Sequence, residues 1–271
     1  MNSPDATDLP RLACLDGEIV PLERAVLPVT DEGLLRGDGV FEVVRLYEGR
    51  PYALEAHLDR MRRSASNLRL PIDIDAVRED FNALLAAVAP GEAALRVLVT
   101  RSGHRIALVE PLPQLPATLA LGCVTYAPTR VLDQVKSLSY AANMLCRRLA
   151  VERGFDEALL VTPHGRVLEA PTSSFFWVDD GELFTPPLED HLLDSITRRA
   201  VFAVTDVQER VTTLEDLQGA QEAFLGSSLK EVVPVHAIEE LALAAPGPVT
   251  LRSGELVAAH IAAELGVTAA G

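Results

Sequence analysis

The chain has 271 residues, 48% of them hydrophobic, which is enough for two ordinary domains with a sizeable core. Its 39 acidic and 24 basic residues give a net charge of −15, which argues against nucleic acid and anionic membranes as partners, because both need clustered positive charge. The three cysteines are far apart in the sequence and odd in number, which indicates a reducing cytoplasm. We expect neither a signal peptide nor a membrane span.

The first part of the chain predicts a small α+β domain over residues 1–126. Two short strands flank a turn at Asp16-Gly17, and a second hairpin turns within "VFEVVRLYEGRPYAL". Apolar residues then recur at helical spacing in "LEAHLDRMRRSASNLRL", and a second helix is expected from about Ile74 to Ala87. The segment "AALRVLVTR" has the composition of a buried strand. Two helices with antiparallel strands are typical of a compact α+β domain.

A stretch interrupted by proline at residues 127–133 predicts a linker, followed by a second domain over residues 134–271. This domain is expected to open with a helix in "SYAANMLCRRLAVER" and a hairpin across "TPHGR". A strand in "SFFWV" and a helix in "DSITRRAVFAV", capped by Asp194 or Ser195, come next. The segment "EAFLGSSLKEVVPV" predicts strand, turn and strand, and an alanine- and proline-containing tail follows. This order predicts an α/β domain built on a barrel or a mixed sheet.

Lysine is nearly absent from this sequence. Lys136 and Lys230 are the two lysines among the 24 basic residues, and all the others are arginines. An arginine stays protonated at physiological pH, whereas burial or neighbouring charges can turn a lysine into a neutral, nucleophilic amine. Lys136 is therefore a candidate for amine chemistry such as a Schiff base, although scarcity alone does not separate that role from a retained surface lysine.

A lysine that held pyridoxal phosphate would need donors for the phosphate and an acid for the ring nitrogen. The helix start in "DSITRR" carries Thr197, and the turn in "LGSSLKE" carries Ser227 and Ser228 beside small residues. Glu169 ends a predicted strand in "RVLEAPTSS" and supplies a carboxylate. Taken singly, these features are better explained as a helix cap, an ordinary turn and an exposed acid. Their order along the chain therefore decides whether they form a cofactor site.

Five sequence motifs follow one another along the chain. They are "DEGLLRGDGVFEVVRLYEGRPYALEAHLDRM", "KSLSYAANMLCRRLAVERGFDEALLV", "GRVLEAPTSSFFWV", "LFTPPL…LLDSITR" and "EAFLGSSLKEVVPV". With these motifs in this order, the chain from about Leu12 to Ile238 resembles the class IV aminotransferases, the fold-type IV pyridoxal-phosphate enzymes. That family includes branched-chain and D-amino-acid aminotransferases and aminodeoxychorismate lyase. The resemblance implies a two-domain α+β fold, with a small α+β N-terminal domain and a larger, barrel-like α/β domain that binds the cofactor.

The resemblance also implies the cofactor-binding residues. Lys136 matches the lysine that bonds pyridoxal 5'-phosphate and moves the proton, and Glu169 matches the carboxylate at the ring nitrogen. Tyr140 lies where many members place a tyrosine near the ring hydroxyl. The implied phosphate contacts are Arg60, Ile196, Thr197, Ser227 and Ser228. Lys230 lies in a different motif, and we expect it at a solvated strand position.

Several positions depart from the family pattern and bear on the substrate. Arg36 and Val43 stand where branched-chain enzymes have tyrosine and glycine, and the loop "TRSGHRI" is shorter than the Arg-x-His carboxylate clamp of D-amino-acid enzymes and differently spaced. Ala170 and Ser174 replace the usual glycine and asparagine after the acid. The predicted substrate-binding residues are Arg36, Phe41, Val43, Arg45, Arg101, His104, Arg105 and Leu229. For several of them the alternative is a surface charge.

The resemblance therefore predicts an aminotransferase that uses D-amino acids first and branched-chain L-amino acids second as donors to a 2-oxo acid. The alternative on the same fold is aminodeoxychorismate lyase, which eliminates pyruvate; a non-catalytic cofactor-binding relative is an alternative from a different class. The expected partners are these small molecules and a second copy of the chain in a cytoplasmic homodimer. No metal site is expected, because the six histidines show no paired ligand spacing.

Overall fold

The computed structural model describes residues 10–266, which divide into two compact units. The first unit comprises the described residues up to Pro113 together with Gln134–Tyr140. The second comprises Gln114–Asp133 together with the described residues from Ala141 onward. Each unit contains one sheet with its own helices.

The first unit is a six-stranded antiparallel sheet with two longer helices packed on it. Its strands are β1 (Leu12–Leu15), β2 (Glu18–Pro21), β3 (Gly39–Tyr47), β4 (Arg50–Pro51), β5 (Ala93–Thr100) and β6 (Arg105–Glu110). Its helices are α1 (Glu32–Arg36), α2 (Leu54–Asn67) and α3 (Ile74–Val88). The strand order is β2-β1-β6-β5-β3-β4, and every neighbouring pair is antiparallel.

Alternation along β3 determines which side chains enter the core of this unit. Val40, Val44 and Leu46 are buried in a cluster that also contains Met61 of α2 and Phe81 of α3. Because successive side chains of a strand point to opposite faces, the alternate residues Phe41, Val43 and Arg45 point away from α2 and α3. The sheet therefore has one face committed to the core, and a second face that is available for other contacts.

The second unit is a mixed eight-stranded sheet with three helices. Its strands are β7 (Leu119–Thr125), β8 (Glu157–Val161), β9 (Ser174–Asp179), β10 (Glu182–Thr185), β11 (Gln208–Glu209), β12 (Glu222–Ser227), β13 (Glu231–Ile238) and β14 (Leu241–Ala242). Its helices are α4 (Ala141–Glu152), α5 (Ile196–Val204) and α6 (Pro248–Leu265). The strand order is β11-β10-β9-β12-β13-β7-β8, with β14 beside β13. Trp177, Phe175, Leu225 and Val235 lie in its apolar core.

The two units differ from the predicted domains, 1–126 and 134–271, in two segments. β7 pairs in parallel with β8 and β13, so it belongs to the second unit. Residues 134–140 belong to the first unit, because Ser137 forms a bridge with Val40 along β3. The chain therefore enters the second unit before the predicted linker and returns to the first unit after it.

The hairpins at Asp16-Gly17 and after Tyr47, and the predicted helices that correspond to α2, α3, α4 and α5, are present in the structure. Among the elements that had not been predicted are α1, β6, β7, β11, β14 and α6. The segment that forms α6 had been interpreted as an irregular tail because it is rich in alanine and contains proline. In the structure Pro248 occupies the first turn of this helix, and Gly266 ends it in the left-handed conformation. None of the helices between residues 10 and 266 combines the length and apolarity needed to cross a membrane.

Candidate active site

Lys136 lies in the segment that runs along the first residues of β3. Its carbonyl accepts a hydrogen bond from the Phe41 N–H (3.2 Å), and its own N–H donates to Ser64 Oγ on α2 (3.1 Å). The Lys136 Nζ lies 4.3 Å from the centroid of the Phe41 ring and 5.4 Å from that of Tyr140. The two rings meet edge to face at 5.3 Å. Backbone hydrogen bonds and two aromatic side chains thus hold the amine in place.

A buried ionic cluster fixes Arg60 on the core side of β3. Glu42, with no exposed surface, accepts hydrogen bonds from Arg60 Nε (2.7 Å) and Nη2 (2.6 Å). His57 Nδ1 lies 2.8 Å from Oε2 of Glu42, the oxygen that also accepts from Arg60 Nη2. Burial alone would raise the pKa of Glu42, but the charge and hydrogen bonds of Arg60 outweigh it and hold this pKa well below its usual range. Glu42 is therefore an anion that orients the guanidinium of Arg60.

Glu42 and His57 had not been identified from the sequence. The sequence did contain a pattern that could have identified them. Glu42 occupies a core-facing position of an alternating strand, and His57 precedes Arg60 by three residues on the same helical face. Burial lowers the pKa of His57 despite its contact with Glu42. The contact between His57 and Glu42 helps to hold the carboxylate that orients Arg60.

Two of the predicted substrate-binding arginines make structural contacts within the first unit. Arg101 donates from Nη2 to the Leu68 carbonyl (2.8 Å) and from Nη1 to the Arg69 carbonyl (3.1 Å). Arg105 donates from Nε to the buried carboxylate of Asp80 (2.6 Å). These hydrogen bonds attach the ends of β5 and β6 to the helical layer, which leaves less of either guanidinium for a substrate.

Arg36 and His104 have partners on the surface of the first unit. Arg36 forms an ion pair with Glu32 one turn earlier on α1, and its side chain is largely exposed. His104 Nδ1 lies 2.8 Å from an oxygen of Asp16, in the turn between β1 and β2. Both remain predicted substrate contacts.

Phe41, Val43 and Arg45 point to the sheet face opposite α2 and α3. The Arg45 guanidinium lies 4.6 Å from the centroid of the Tyr47 ring, and its Nη2 lies 3.4 Å from Glu92. Because Phe41 also contacts Lys136, this face of β3 carries the amine and a basic side chain together. We refer to this surface, formed by β3 and its neighbour β5, as the open sheet face.

Arg96 is a further basic residue on the open sheet face, and it had not been identified from the sequence. It lies on β5 opposite Val43, and its guanidinium carbon is 5.9 Å from the centroid of the Phe41 ring. Its Nε donates to Glu110 on β6 (2.7 Å). The available signal was a charged residue inside the otherwise apolar strand "AALRVLVT". One aromatic ring, Phe41, therefore contacts both a lysine and an arginine.

Glu169 lies on the segment after the β8 hairpin in the second unit. Its carbonyl accepts a hydrogen bond from the Leu160 N–H (2.9 Å), and its Oε1 accepts one from the Leu193 N–H (3.4 Å). The side chain is half-buried. Its carboxylate is thus directed toward the segment that precedes α5.

The start of α5 and the turn after β12 are adjacent in the second unit. Ser195 caps α5, since its Oγ accepts a hydrogen bond from the Arg198 N–H (3.3 Å), so Ser195 and not Asp194 is the N-cap. Ile196 and Thr197 are buried in the first turn. A Cβ placed on Gly226 would lie 3.5 Å from Thr197 Cγ2, so the turn approaches the helix closely. The predicted phosphate contacts of this unit therefore converge.

The donors in this region fit a phosphate group. Ser227, Ser228 and Leu229 form the half-buried turn after β12, next to the start of α5, where a helix has amides without partners inside the helix. Ser174, opposite Gly226 across β9 and β12, has a buried Oγ with no hydrogen-bond partner among residues 10–266. A buried hydroxyl that lacks a partner beside two serines and a helix start is a donor set suited to the phosphate of pyridoxal phosphate.

The expectation that Lys230 occupies a solvated position is wrong. Its side chain is 12% exposed, and its Nζ lies 3.3 Å from Oε2 of the buried Glu157. Burial lowers the pKa of Lys230, while the charge of Glu157 opposes this effect. Lys230 thus forms a buried ion pair.

Among residues 10–266, no group of three His, Cys, Asp or Glu side chains could hold a metal ion.

Comparison with known proteins identifies the family. The profile described as amino-transferase class IV matches residues 39–238. A bifunctional aminodeoxychorismate lyase / D-amino acid transaminase of Mycobacterium tuberculosis is 30% identical over 260 residues, which cover 83% of this chain and 90% of the relative.

Two solved structures have the same fold. A hypothetical aminotransferase from Mycobacterium tuberculosis in its PLP-bound form superposes with a TM-score of 0.86 at 29% identity, over 93% of this chain and 99% of the other. A branched-chain aminotransferase from Thermoproteus uzoniensis gives a TM-score of 0.85 at 26% identity, over 91% and 93%. The predicted family, cofactor and two-domain fold-type IV architecture are confirmed. The chain belongs to the class IV aminotransferases and is a pyridoxal-phosphate-dependent enzyme.

Proposed function

We propose that this enzyme transfers an amino group between an amino acid and a 2-oxo acid, with D-amino acids as preferred donors and branched-chain L-amino acids second. The observation that carries the proposal is the arrangement on the open sheet face, where Lys136 and Arg96 lie beside the same Phe41 ring. An arginine next to a reactive amine can hold the carboxylate that every amino acid and 2-oxo acid carries.

The cofactor-binding roles follow from the donor types in each unit. Bound pyridoxal phosphate supplies an electron-accepting ring, which eases removal of a proton from the substrate carbon. Lys136 would hold the cofactor covalently and carry this proton, and Glu169 would keep the ring nitrogen charged. Tyr140 would contact the ring hydroxyl. The residues that would contribute to phosphate binding are Arg60 of the first unit and Ile196, Thr197, Ser227 and Ser228 of the second.

Arg96 and Arg45 are the arginines best placed for a substrate carboxylate. Both lie on the open sheet face, and both keep exposed surface while pairing with Glu110 and Glu92 at its rim. Arg101 is bound to backbone carbonyls and Arg105 to a buried aspartate, so using either for the substrate would break these bonds. Phe41 and Val43, on the same face, would then lie beside the substrate side chain.

A lyase activity is the second candidate. The Mycobacterium tuberculosis relative combines aminodeoxychorismate lyase and D-amino acid transaminase in its name, so one chain of this family can carry both. Both reactions begin with proton removal by the lysine. They differ because a transaminase must release a 2-oxo acid and then admit a second one, whereas a lyase expels pyruvate from one large dicarboxylate.

A half-reaction separates these two functions. A D-amino acid alone, such as D-alanine, is expected to bleach the visible absorbance of the bound cofactor in a single turnover, and 2-oxoglutarate or pyruvate should restore it. L-leucine is the matched comparison, and we expect it to react more slowly. If no amino acid of either hand bleaches the absorbance while aminodeoxychorismate yields aminobenzoate and pyruvate, the enzyme is a lyase.

We further propose a homodimer in the cytoplasm. Val26, Val29, Leu34 and Leu35 are each more than half exposed and lie close together in the sequence, which is typical of a surface covered by a partner. All three cysteines are free, as in proteins of a reducing compartment.

Light scattering should give the purified enzyme twice the chain mass of 29.2 kDa. The double variant Leu34→Ser/Leu35→Ser is expected to shift toward monomer, whereas Leu251→Ser, which changes an exposed leucine of α6, should not. A wild-type mass of one chain would contradict the proposal.

A further inference from the structure

The second lysine of the chain forms a buried ion pair in the second unit. Lys230 Nζ lies 3.3 Å from Glu157 Oε2, and the Glu157 side chain is 4% exposed. The other oxygen of Glu157 accepts a hydrogen bond from the Ala158 N–H (3.1 Å), and Arg147 Nε approaches at 3.6 Å from a largely exposed side chain. Lys230 is therefore the buried countercharge of a carboxylate that cannot reach bulk water.

Lys230 also contacts the tight turn that follows Glu169. Ala170 and Ser173 exchange two backbone hydrogen bonds (2.9 and 3.3 Å), which places Thr172 at the tip of this turn. The Lys230 ammonium donates to Thr172 Oγ1 (3.5 Å). From the other side, Asn143 Nδ2 donates to the Pro171 carbonyl (3.2 Å). The tip is thus held from two directions.

The same lysine closes the turn that carries the two serines. Its backbone N–H donates to the Ser227 carbonyl (3.2 Å), so Lys230 ends the turn that begins at Ser227. The backbone of Lys230 thus belongs to the serine turn, while its side chain reaches the turn after Glu169. One residue connects the two loops.

We propose that Lys230 is a positioning residue, whose ion pair with Glu157 and bond to Thr172 fix the serine turn against the turn that follows Glu169. This inference rests on the proposed placement of the cofactor phosphate at Ser227 and Ser228 and of its ring nitrogen at Glu169. Those groups hold opposite ends of one rigid molecule, so the spacing between the two loops determines how well both ends are bound.

The geometry also explains why a lysine stands where the chain otherwise uses arginine. An ammonium is compact, and its three donors can serve a carboxylate and a hydroxyl that lie in different directions. Arginine presents a planar fork that suits one carboxylate approached in its own plane. Glu157 and Thr172 belong to different segments, so the smaller cation fits both.

Cofactor affinity tests this inference. Apoenzyme is titrated with pyridoxal phosphate while the visible absorbance is followed, and the thermal midpoint of each apoenzyme is measured. Lys230→Met is expected to weaken cofactor binding by about tenfold, which is the typical loss of affinity when a residue that supports a binding group is removed. Lys230→Arg keeps the charge beside Glu157 but not the geometry that also reaches Thr172, so it should recover part of the affinity that Lys230→Met loses. Arg153→Met removes the partner of Glu239 elsewhere in this unit and should leave cofactor affinity unchanged.

The outcomes distinguish positioning from general stability. If Lys230→Met lowers the thermal midpoint but binds the cofactor as wild type does, or if Lys230→Arg is as weak as Lys230→Met, the inference is wrong. Should Lys230→Met fail to fold, Thr172→Val decides, since it removes only the contact at the exposed tip. We expect that variant to bind the cofactor about two- to threefold more weakly through the loss of one hydrogen bond, and unchanged affinity would overturn the inference.

Failure of the underlying placement would look different. In that case Ser228→Ala should bind the cofactor as tightly as the wild type, and Glu169→Gln should react at the wild-type rate. Both results would be independent of the cofactor affinity of Lys230→Met. If both variants are impaired and Lys230→Met binds the cofactor normally, the placement stands and only the positioning role fails.

Discussion

Lys136→Ala is expected to abolish amino transfer and to remove the visible absorbance that arises when the cofactor is bonded to a lysine. The variant loses the covalent attachment and the group that carries the proton. Proton transfer by a positioned side chain alone contributes about two to four powers of ten in rate. Absorbance spectra and the rate with a D-amino acid donor measure both effects, and the purified wild-type protein should be yellow.

Lys230→Met is the matched control, because Lys230 is the other lysine of the chain. It should keep the visible absorbance once cofactor is supplied in excess, even if its affinity is lower. The Lys136 assignment would be wrong if Lys136→Ala retained the spectrum and Lys230→Met lost it.

Local patterns predicted the parts of the site that depend on neighbours in sequence. The cap at Ser195 and the small residues before Ser227 follow from short-range rules for helix starts and turns, and the structure brings these two segments together. The segment "VFEVVRLYEGRPYAL" likewise predicted a hairpin, which β3 and β4 form. Such features depend on residues a few positions apart, so the sequence displays them directly.

Partners of charged residues could not be predicted, because they are distant in sequence. Lys230 pairs with Glu157 at a separation of 73 residues, and Arg105 pairs with Asp80 at 25. A charge in a sequence therefore shows neither its burial nor its counterion. Lys230 was mistaken for a solvated side chain for this reason, and Arg101 and Arg105 were grouped with residues that face the open sheet.

The positions at which the chain passes from one unit to the other could not be predicted for a related reason. Residues 134–140 carry Lys136 and follow a proline-containing stretch, which indicated a boundary, but hydrogen bonds to β3 place them in the first unit. A bridge between Ser137 and Val40 depends on residues almost a hundred positions apart. The position of the lysine beside Phe41 and Arg96 becomes visible only when that pairing is known.

Glu169→Gln is expected to retain the cofactor and to lose about two or more powers of ten in rate, the scale of one electrostatic contact to a developing charge. A carboxylate at the ring nitrogen keeps that nitrogen protonated, and the positive ring then stabilises negative charge on the substrate carbon. Glutamine has nearly the same shape, and its oxygen can still accept the hydrogen bond from Leu193 N–H, so the local backbone should not change.

The rate of the half-reaction and the cofactor content, measured on the same sample, separate chemistry from binding in Glu169→Gln. Glu182→Gln serves as the control, because it removes one carboxylate from an exposed position of β10 in the same unit and should react at the wild-type rate. If Glu169→Gln reacted as fast as the wild type, a different acid would have to protonate the ring nitrogen. If it lost the cofactor altogether, Glu169 would contribute to binding rather than to the charge on the ring.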